Sequence, residues 1–150
     1  MSKLILLRHG ESEWNARNLW AGRTDVGLTE RGRQEARTFA KKLQDFGIDE
    51  VHVSPLRRAQ ETWEEILRIW GGDFPNVKIS DSLVERDYGS YTGLNKTEVE
   101  QEIGPEKFKR LRRAWNEAVP QGETLQVVSG RVWPYYQQEI LPALVAGRDV

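Results

Sequence analysis

The sequence contains no cysteine, and its formal net charge is only -1. Without cysteine, neither a disulfide framework nor thiolate chemistry is available. The small net charge argues against a general nucleic-acid binder or a protein that binds acidic membranes, so the basic residues have to be judged by their placement. The aliphatic run at residues 4–7 is too short for a signal-peptide core or a membrane span. We therefore expect a cytoplasmic protein.

The residues that are present indicate one α/β domain. A chain of 150 residues can bury a proper core, and 38% hydrophobic with 30% charged residues is an ordinary globular composition. Strand-like runs at residues 3–7, 51–55 and 76–80 alternate with helical patterns, which is typical of a mainly parallel sheet. In such sheets, ligands bind beyond the carboxyl ends of the strands.

The helices are predicted from their end signals and their apolar spacing. Thr29 is a candidate N-cap, and Ser54 with Pro55 resembles the N-cap and first position of the next helix, which should end at Gly71. Residues 85–96 are predicted to be a loop punctuated by glycines. Further helices are expected over residues 97–103, 105–116 and 124 onward, the last one bent near Pro134 and Pro142.

The first predicted strand runs directly into Arg8, His9 and Gly10 instead of a turn signal. An isolated histidine at a strand end is most often structural. Here, however, a guanidinium beside it can bind phosphate in a bidentate fashion, and the glycine lets a ligand approach closely. A neutral imidazole in that setting can also attack phosphorus and carry the group covalently. The residues alone therefore predict a phosphate site with His9 as a candidate nucleophile.

Other charged residues are placed where they could complete such a site. Arg58 enters a helix directly after the second predicted strand, whereas a pair such as Arg112 and Arg113 is by itself most often a solvated helix face. Glu85 is either an ordinary loop carboxylate or a proton donor and acceptor for a substrate hydroxyl. No metal site is predicted, because His9 lacks a partner at ligand spacing and the carboxylates are scattered.

Several stretches of the sequence, taken in order, also carry a family resemblance. They are LILLRHGESEWN, WAGRTDVGLTERGRQEA, SPLRRAQET, ERDYGSYTGLNK, LRRAW and PQGETL. An RHG motif alone would be a weak signal, but this ordered series spans nearly the whole chain. It resembles the histidine phosphatase superfamily, and specifically the cofactor-dependent phosphoglycerate mutases. The resemblance implies a three-layer α/β/α sandwich.

The resemblance also implies a reaction and the residues that carry it. His9 would take a phosphoryl group from 2,3-bisphosphoglycerate and pass it to 2- or 3-phosphoglycerate, a step of glycolysis and gluconeogenesis. Arg8 and Arg58 would clamp the transferring group, and Glu85 would be the general acid/base. Ligand contacts in the first loops would come from Ser12, Asn15, Ala21 and Gly22. The substrate's carboxylate and second phosphate would be held by Arg86, Tyr88, Lys96, Arg112 and Arg113.

Three functions stay open at this point. The GLNK stretch and the Arg112–Arg113 pair favour a mutase, because they can hold an intermediate for a second transfer. A broad-specificity histidine phosphatase would use the same His9. A catalytically inactive fragment that binds phospho-ligands is the alternative of another class. The residues indicate no nucleic-acid or membrane partner and no metal, and the family resemblance implies small phosphorylated substrates and a homodimer or homotetramer.

The sequence departs from the family pattern most clearly at its end. Family members continue into a further strand that closes in HGN, with a second histidine, whereas this sequence stops at AGRDV. We interpret the other histidine, His52, as structural. Because the family's last strand pairs beside the first, we expect residues 4–7 to lack a neighbour and the domain of residues 1–150 to be truncated at its C-terminus. Asp87 also stands where many mutases have histidine.

Overall fold

A computed structural model describes residues 1–72, 74 and 76–150 of the chain. Its two regular strands are β1 (Val51–Val53) and β2 (Val77–Ile79). The helices are α1 (Glu13–Ala16), α2 (Glu30–Leu43), α3 (Arg57–Trp70), α4 (Lys96–Ile103), α5 (Pro105–Arg113), α6 (Leu125–Tyr135) and α7 (Leu141–Val145). Short 3₁₀ turns occur at Asp81–Leu83 and Gly89–Tyr91, and a π-helical segment, Tyr136–Ile140, joins α6 to α7.

Helices cover both faces of a small parallel sheet. β1 pairs with β2 in parallel, with Val51 opposite Val77. On one face, α3 lies against β1 and packs on α2. On the other face, the α6 residue Tyr135 places its hydroxyl 2.6 Å from Nδ1 of His52 in β1. Because neighbouring strand residues point to opposite faces, this helix–sheet–helix order confirms the prediction of an α/β fold with a parallel sheet.

The prediction of a regular strand at residues 3–7 was wrong, because these residues form no strand in the structure. Its backbone contacts the other end of the chain, where Ile5 N–H donates to Val150 O at 2.7 Å and Val150 N–H donates to Lys3 O at 2.9 Å. Beyond that contact no described segment forms backbone hydrogen bonds with Leu6, which is 86% exposed. Two bonds at one end do not make a ladder, so the aliphatic run alone was insufficient to define a strand.

The N-terminus of α3 also differs from its prediction. Neither Ser54 nor Pro55 begins the helix; the N-cap is Leu56, which provides no side-chain bond. Instead Asp25, from a distant loop, accepts the Arg57 N–H at 2.7 Å. A carboxylate at a helix N-terminus satisfies a free donor and favours the helix dipole. The end of α3 is confirmed, because its C-cap Gly71 adopts φ +73°.

The remaining helix predictions hold within a few residues. Thr29 caps α2 by accepting the Gly32 N–H, and α4 and α5 lie where helices were expected. The C-terminal helix is interrupted as predicted, since the π-helical segment falls between Pro134 and Pro142. The short helix α1 was not predicted. Within the residues that the structure describes, no helix is both long and apolar enough to cross a bilayer.

Two glycines bring α2 directly onto the loop that follows His9. A Cβ on Gly32 would collide with the backbone of Glu11, and a Cβ on Gly10 would collide with the backbone of Gly32. Both glycines are buried. This backbone-to-backbone contact therefore fixes the distance between the first turn of α2 and the residue after His9.

We expect Gly32→Ala to destabilise the protein by about 1–3 kcal/mol, because the added methyl group has no space against the Glu11 backbone. The matched control is Gly130→Ala in α6, where an added Cβ meets no atom within 4 Å. That change should instead stabilise the protein by about 0.5–1 kcal/mol, the helix preference for alanine. Urea unfolding followed by circular dichroism measures both. Equal stabilities of the two variants would contradict the packing argument.

Candidate active site

The His9 ring is held by one hydrogen bond at each nitrogen. Nδ1 lies 2.7 Å from Gly10 O, and because a carbonyl only accepts, Nδ1 carries the proton. Arg58 Nε donates to His9 Nε2 at 3.2 Å, which requires a free lone pair on that nitrogen. The two contacts therefore define the neutral Nδ1–H tautomer, in which Nε2 is the nitrogen that could act as a nucleophile.

The surroundings of His9 favour its neutral form. Burial lowers the pKa of His9 below the ordinary 6.5, and the positive charges of Arg58 and Arg8 lower it further. The hydrogen bond to Gly10 and the charge of Glu85 act in the opposite direction. The net result is an imidazole that is unprotonated at neutral pH, as a nucleophile requires.

Arg58 is fixed by backbone carbonyls on the side away from His9. It is 2% exposed, Nη2 donates to Gly22 O at 2.8 Å and Nη1 donates to Thr24 O at 3.0 Å. Gly22 itself adopts φ +51°, a conformation that glycine takes without strain. The loop of residues 21–24 therefore sets the direction in which the guanidinium faces the histidine.

Two further cations lie over a buried aromatic side chain. Lys96 Nζ is 6.0 Å and the Arg112 Cζ atom 5.9 Å from the ring centroid of Trp20. Trp20 forms a core cluster with Val99 and Phe108. Burial lowers the pKa of Lys96, and the charge of Arg112 lowers it further. Crowded cations of this kind favour an anionic ligand.

The cavity beside His9 brings together several of the predicted site residues. It has a volume of ≈ 520 Å³ and extends from the site into the space between residues 4–7 and β1. Arg8, His9, Arg58 and Glu85 all line it. Tyr88 is near enough to Glu85 that burial and this carboxylate both raise its pKa. Arg113 is exposed at the end of α5, beside Arg112.

Three predicted ligand contacts have structural tasks in the first loops. Ser12 is wholly buried and caps α1, because its hydroxyl accepts the Asn15 N–H at 3.2 Å. Asn15 Oδ1 in turn accepts the Ser12 N–H at 3.2 Å, which completes a capping box. Ala21 O accepts the Thr24 N–H at 2.9 Å. These bonds shape the loops that surround His9.

Arg86 directs its guanidinium into the protein. It is 3% exposed, and each of its three side-chain nitrogens donates to a backbone carbonyl. The acceptors are Glu123 O at 2.7 Å, Leu111 O at 2.9 Å and Glu117 O at 3.1 Å. Such a buried cation is satisfied by the fold and connects the Glu85 loop to α5. This geometry gives Arg86 a supporting task, and the ligand contact that the family resemblance implied stays a prediction.

The residues that hold the loop behind His9 were not predicted from the sequence. Gly10 N–H donates to Thr62 Oγ1 at 3.2 Å, and that hydroxyl donates to Arg58 O at 2.7 Å. Glu11 N–H donates to Glu35 Oε2 at 2.9 Å. The available sequence signal was spacing, since Thr62 follows Arg58 by one helical turn.

Away from the site, His52 belongs to a buried polar network. Its Nε2 lies 3.0 Å from Glu50 Oε1, and Lys78 Nζ lies 2.8 Å from the same oxygen. Arg148 and Tyr135 complete the network. These contacts support the structural interpretation of this histidine.

Comparison with known proteins gives the same family. The model of the histidine phosphatase superfamily (branch 1) matches residues 4–141. A 2,3-bisphosphoglycerate-dependent phosphoglycerate mutase of Bartonella quintana (strain Toulouse) is 45% identical over 150 residues, which are 98% of this chain and 72% of that protein. A similarly named protein of Parvibaculum lavamentivorans is 41% identical, over 98% of this chain and 71% of its own length.

Solved structures show the same likeness. A mycobacterial glucosyl-3-phosphoglycerate phosphatase in complex with VO3 matches with a TM-score of 0.86 and 26% identity, covering 100% of this chain and 74% of that one. YhfR of Bacillus stearothermophilus matches with a TM-score of 0.83 and 30% identity, covering 100% and 72%. The chain therefore belongs to the histidine phosphatase superfamily, branch 1, a family of enzymes.

We expect the His9 ring to titrate below pH 6.5, because burial and the neighbouring arginines disfavour its charged form. A lowered folded pKa means that the unfolded chain binds more protons than the folded one. His9 therefore contributes stability above about pH 6.5 that falls as the pH drops toward its lowered pKa. NMR titration of the ring, with His9→Asn as the assignment control, measures this. A pKa at or above 6.5 would contradict the site geometry described here.

Proposed function

We propose that this protein is a phosphoglycerate mutase that interconverts 2-phosphoglycerate and 3-phosphoglycerate through a phosphorylated His9. The observation that carries the proposal is the neutral His9 tautomer, in which Nε2 is unprotonated and accepts a hydrogen bond from the Arg58 guanidinium. The names of relatives such as the Bartonella quintana protein support the same activity.

The chemistry of the donor set fits 2,3-bisphosphoglycerate, which carries two phosphates and a carboxylate. Arg8 and Arg58 would hold the phosphate next to His9, and Lys96 and Arg112 would hold the more distant anionic groups. Burial lowers the pKa of Lys96, and the charges of Arg112 and Arg8 lower it further while Glu85 raises it, which fits an anionic ligand beside these cations. When bound, 2,3-bisphosphoglycerate supplies the phosphoryl group. We assign no metal to this role, since arginine side chains can neutralise the transferring charge.

Glu85 is the residue that we assign to proton exchange with the substrate hydroxyl. It lines the same cavity as His9, and one carboxylate oxygen accepts the Arg86 N–H at 2.8 Å. That bond fixes one oxygen and leaves the other to move a proton. The buried Arg86 guanidinium then holds the loop from which Glu85 projects.

A direct test is the intact mass of the protein after exposure to 2,3-bisphosphoglycerate. We expect a gain of one phosphoryl group that is labile to acid, because phosphohistidine hydrolyses in acid, and no gain in His9→Asn. A folded protein that binds 2,3-bisphosphoglycerate without any gain would contradict the proposal. That result would favour the phospho-ligand-binding alternative instead.

A second candidate is a broad-specificity phosphatase, favoured by the structural likeness to a phosphatase such as the mycobacterial one. The double variant Arg112→Ala, Arg113→Ala distinguishes the two. For a mutase, we expect phosphoryl transfer between phosphoglycerates to fall by about 100-fold, the usual cost of lost charge stabilisation, while hydrolysis of a small phosphomonoester is retained.

The matched control for this test is Arg110→Ala in the same helix. Arg110 is exposed and its guanidinium pairs with Glu117 at 2.9 Å, so its loss should leave both activities unchanged. Equal losses of transfer and hydrolysis in the double variant would count against the mutase assignment of the Arg112–Arg113 pair.

A further inference from the structure

We propose that Glu35 is a positioning residue for His9. Its carboxylate holds the peptide group between Gly10 and Glu11, so that the Gly10 carbonyl accepts the Nδ1 proton and Nε2 stays unprotonated. The inference deepens the proposed function, because it explains how the nucleophile of that same site is kept in one tautomer. Glu35 itself lies behind the loop and is not a catalytic residue.

The three groups are connected through a single planar peptide. Glu11 N–H donates to Glu35 Oε2 at 2.9 Å, and Gly10 O lies 2.7 Å from His9 Nδ1. This N–H and this C=O belong to the same peptide bond and point in opposite directions. A carboxylate that fixes the N–H on one side therefore fixes the direction of the carbonyl on the other side.

The hydrogen bond from the Glu11 N–H to Glu35 also strengthens the hydrogen bond between Gly10 O and the His9 ring. A bond to a carboxylate is about twice as strong as one between neutral groups. Successive hydrogen bonds polarise one another by about 10–30% each. The Gly10 carbonyl is therefore a better acceptor for the Nδ1 proton while Glu35 is bound to the far side of its peptide. A stronger acceptor at Nδ1 makes Nε2 more basic and more nucleophilic.

The position of Glu35 is set by the fold. It follows Gly32 by one turn of α2, and the backbone contact of Gly32 with Glu11 brings this turn onto the loop. Arg31 Nε donates to the other carboxylate oxygen, Oε1, at 3.1 Å. Both oxygens of a side chain that is 37% exposed are thereby occupied. Such a carboxylate is oriented toward the peptide and not toward solvent.

A separate contact fixes the peptide between His9 and Gly10, so Glu35 is needed only for the peptide that follows it. Gly10 N–H donates to Thr62 Oγ1 at 3.2 Å, so the peptide between His9 and Gly10 is held by α3. The following peptide is held by Glu35 of α2. Glycine has no side chain to restrict its own rotation, so the two helices together determine where its carbonyl points.

The experiment measures the tautomer of His9 and its phosphorylation in the same variants. The ¹⁵N chemical shifts of the ring report which nitrogen carries the proton, and the chain has only 2 histidines, so His9→Asn assigns the signals. In Glu35→Ala we expect the share of the Nδ1–H tautomer to fall below that of the wild type, although the Arg58 Nε–H donor at Nε2 still disfavours the other tautomer. We also expect phosphorylation by 2,3-bisphosphoglycerate to slow by about tenfold, as is common when the partner of a functional histidine is lost.

Two further variants make the test specific. Glu35→Gln keeps an acceptor without charge, so its tautomer population and rate should lie between those of the wild type and Glu35→Ala. Glu30→Ala is the matched control, because it removes a carboxylate of the same helix that is 79% exposed and contacts Arg37. We expect this control to resemble the wild type in both measurements.

The proposal is overturned if Glu35→Ala keeps the Nδ1–H tautomer as fully as the wild type. Should Glu35→Ala fail to fold, Glu35→Gln decides, and a tautomer population equal to that of the wild type overturns the proposal. A tautomer that depends on Glu35 in a protein without phosphoryl gain supports the positioning role and rejects the proposed function. A phosphoryl gain that depends on His9, together with a tautomer population that does not change in the Glu35 variants, supports the proposed function and rejects the positioning role.

Discussion

The arrangement of the site depends on how the N–H donors of the buried Arg58 guanidinium are divided between His9 and two backbone carbonyls. Its Nε donates to His9 Nε2 at 3.2 Å, and its two Nη atoms donate to Gly22 O and Thr24 O. A buried cation is costly unless its donors are satisfied, so the loop carbonyls are a requirement of the fold as well as of the site. The arginine thereby connects α3, the loop of residues 21–24 and the histidine.

The same physical requirement explains why the predicted arginines separate into two groups. Arg86 satisfies its buried guanidinium with three carbonyls, and so supports the loop that carries Glu85. Arg8, Arg112 and Arg113 are exposed, so their charges remain available to an anion. The type of residue predicts a phosphate site, and burial decides which of these arginines hold the protein together.

Much of the fold could be predicted from local sequence signals, because helix caps and apolar spacing act over one or two turns. Thr29 begins α2 and Gly71 ends α3, as expected. The N-cap of α3 could not be predicted locally, since its acceptor is Asp25 from a distant loop. The run at residues 4–7 satisfied the pattern of a strand, but a strand also requires neighbours, which sequence pattern alone does not provide. Glu35 was not predicted because its contact, too, is with a segment distant in the sequence, the loop after His9.

Electrostatics gives the arginines beside His9 two consecutive effects. Burial is the main cause that lowers the pKa of His9, and the positive charges of Arg58 and Arg8 lower it further, which favours an unprotonated Nε2. A phosphorylated histidine would place negative charge in the same position, and the same two cations would then stabilise it. In the proposed reaction, one fixed set of charges would thus favour both the neutral form of His9 and its phosphorylated form. Because neither effect requires the arginines to move, the carbonyls that immobilise Arg58 are consistent with a preorganised site.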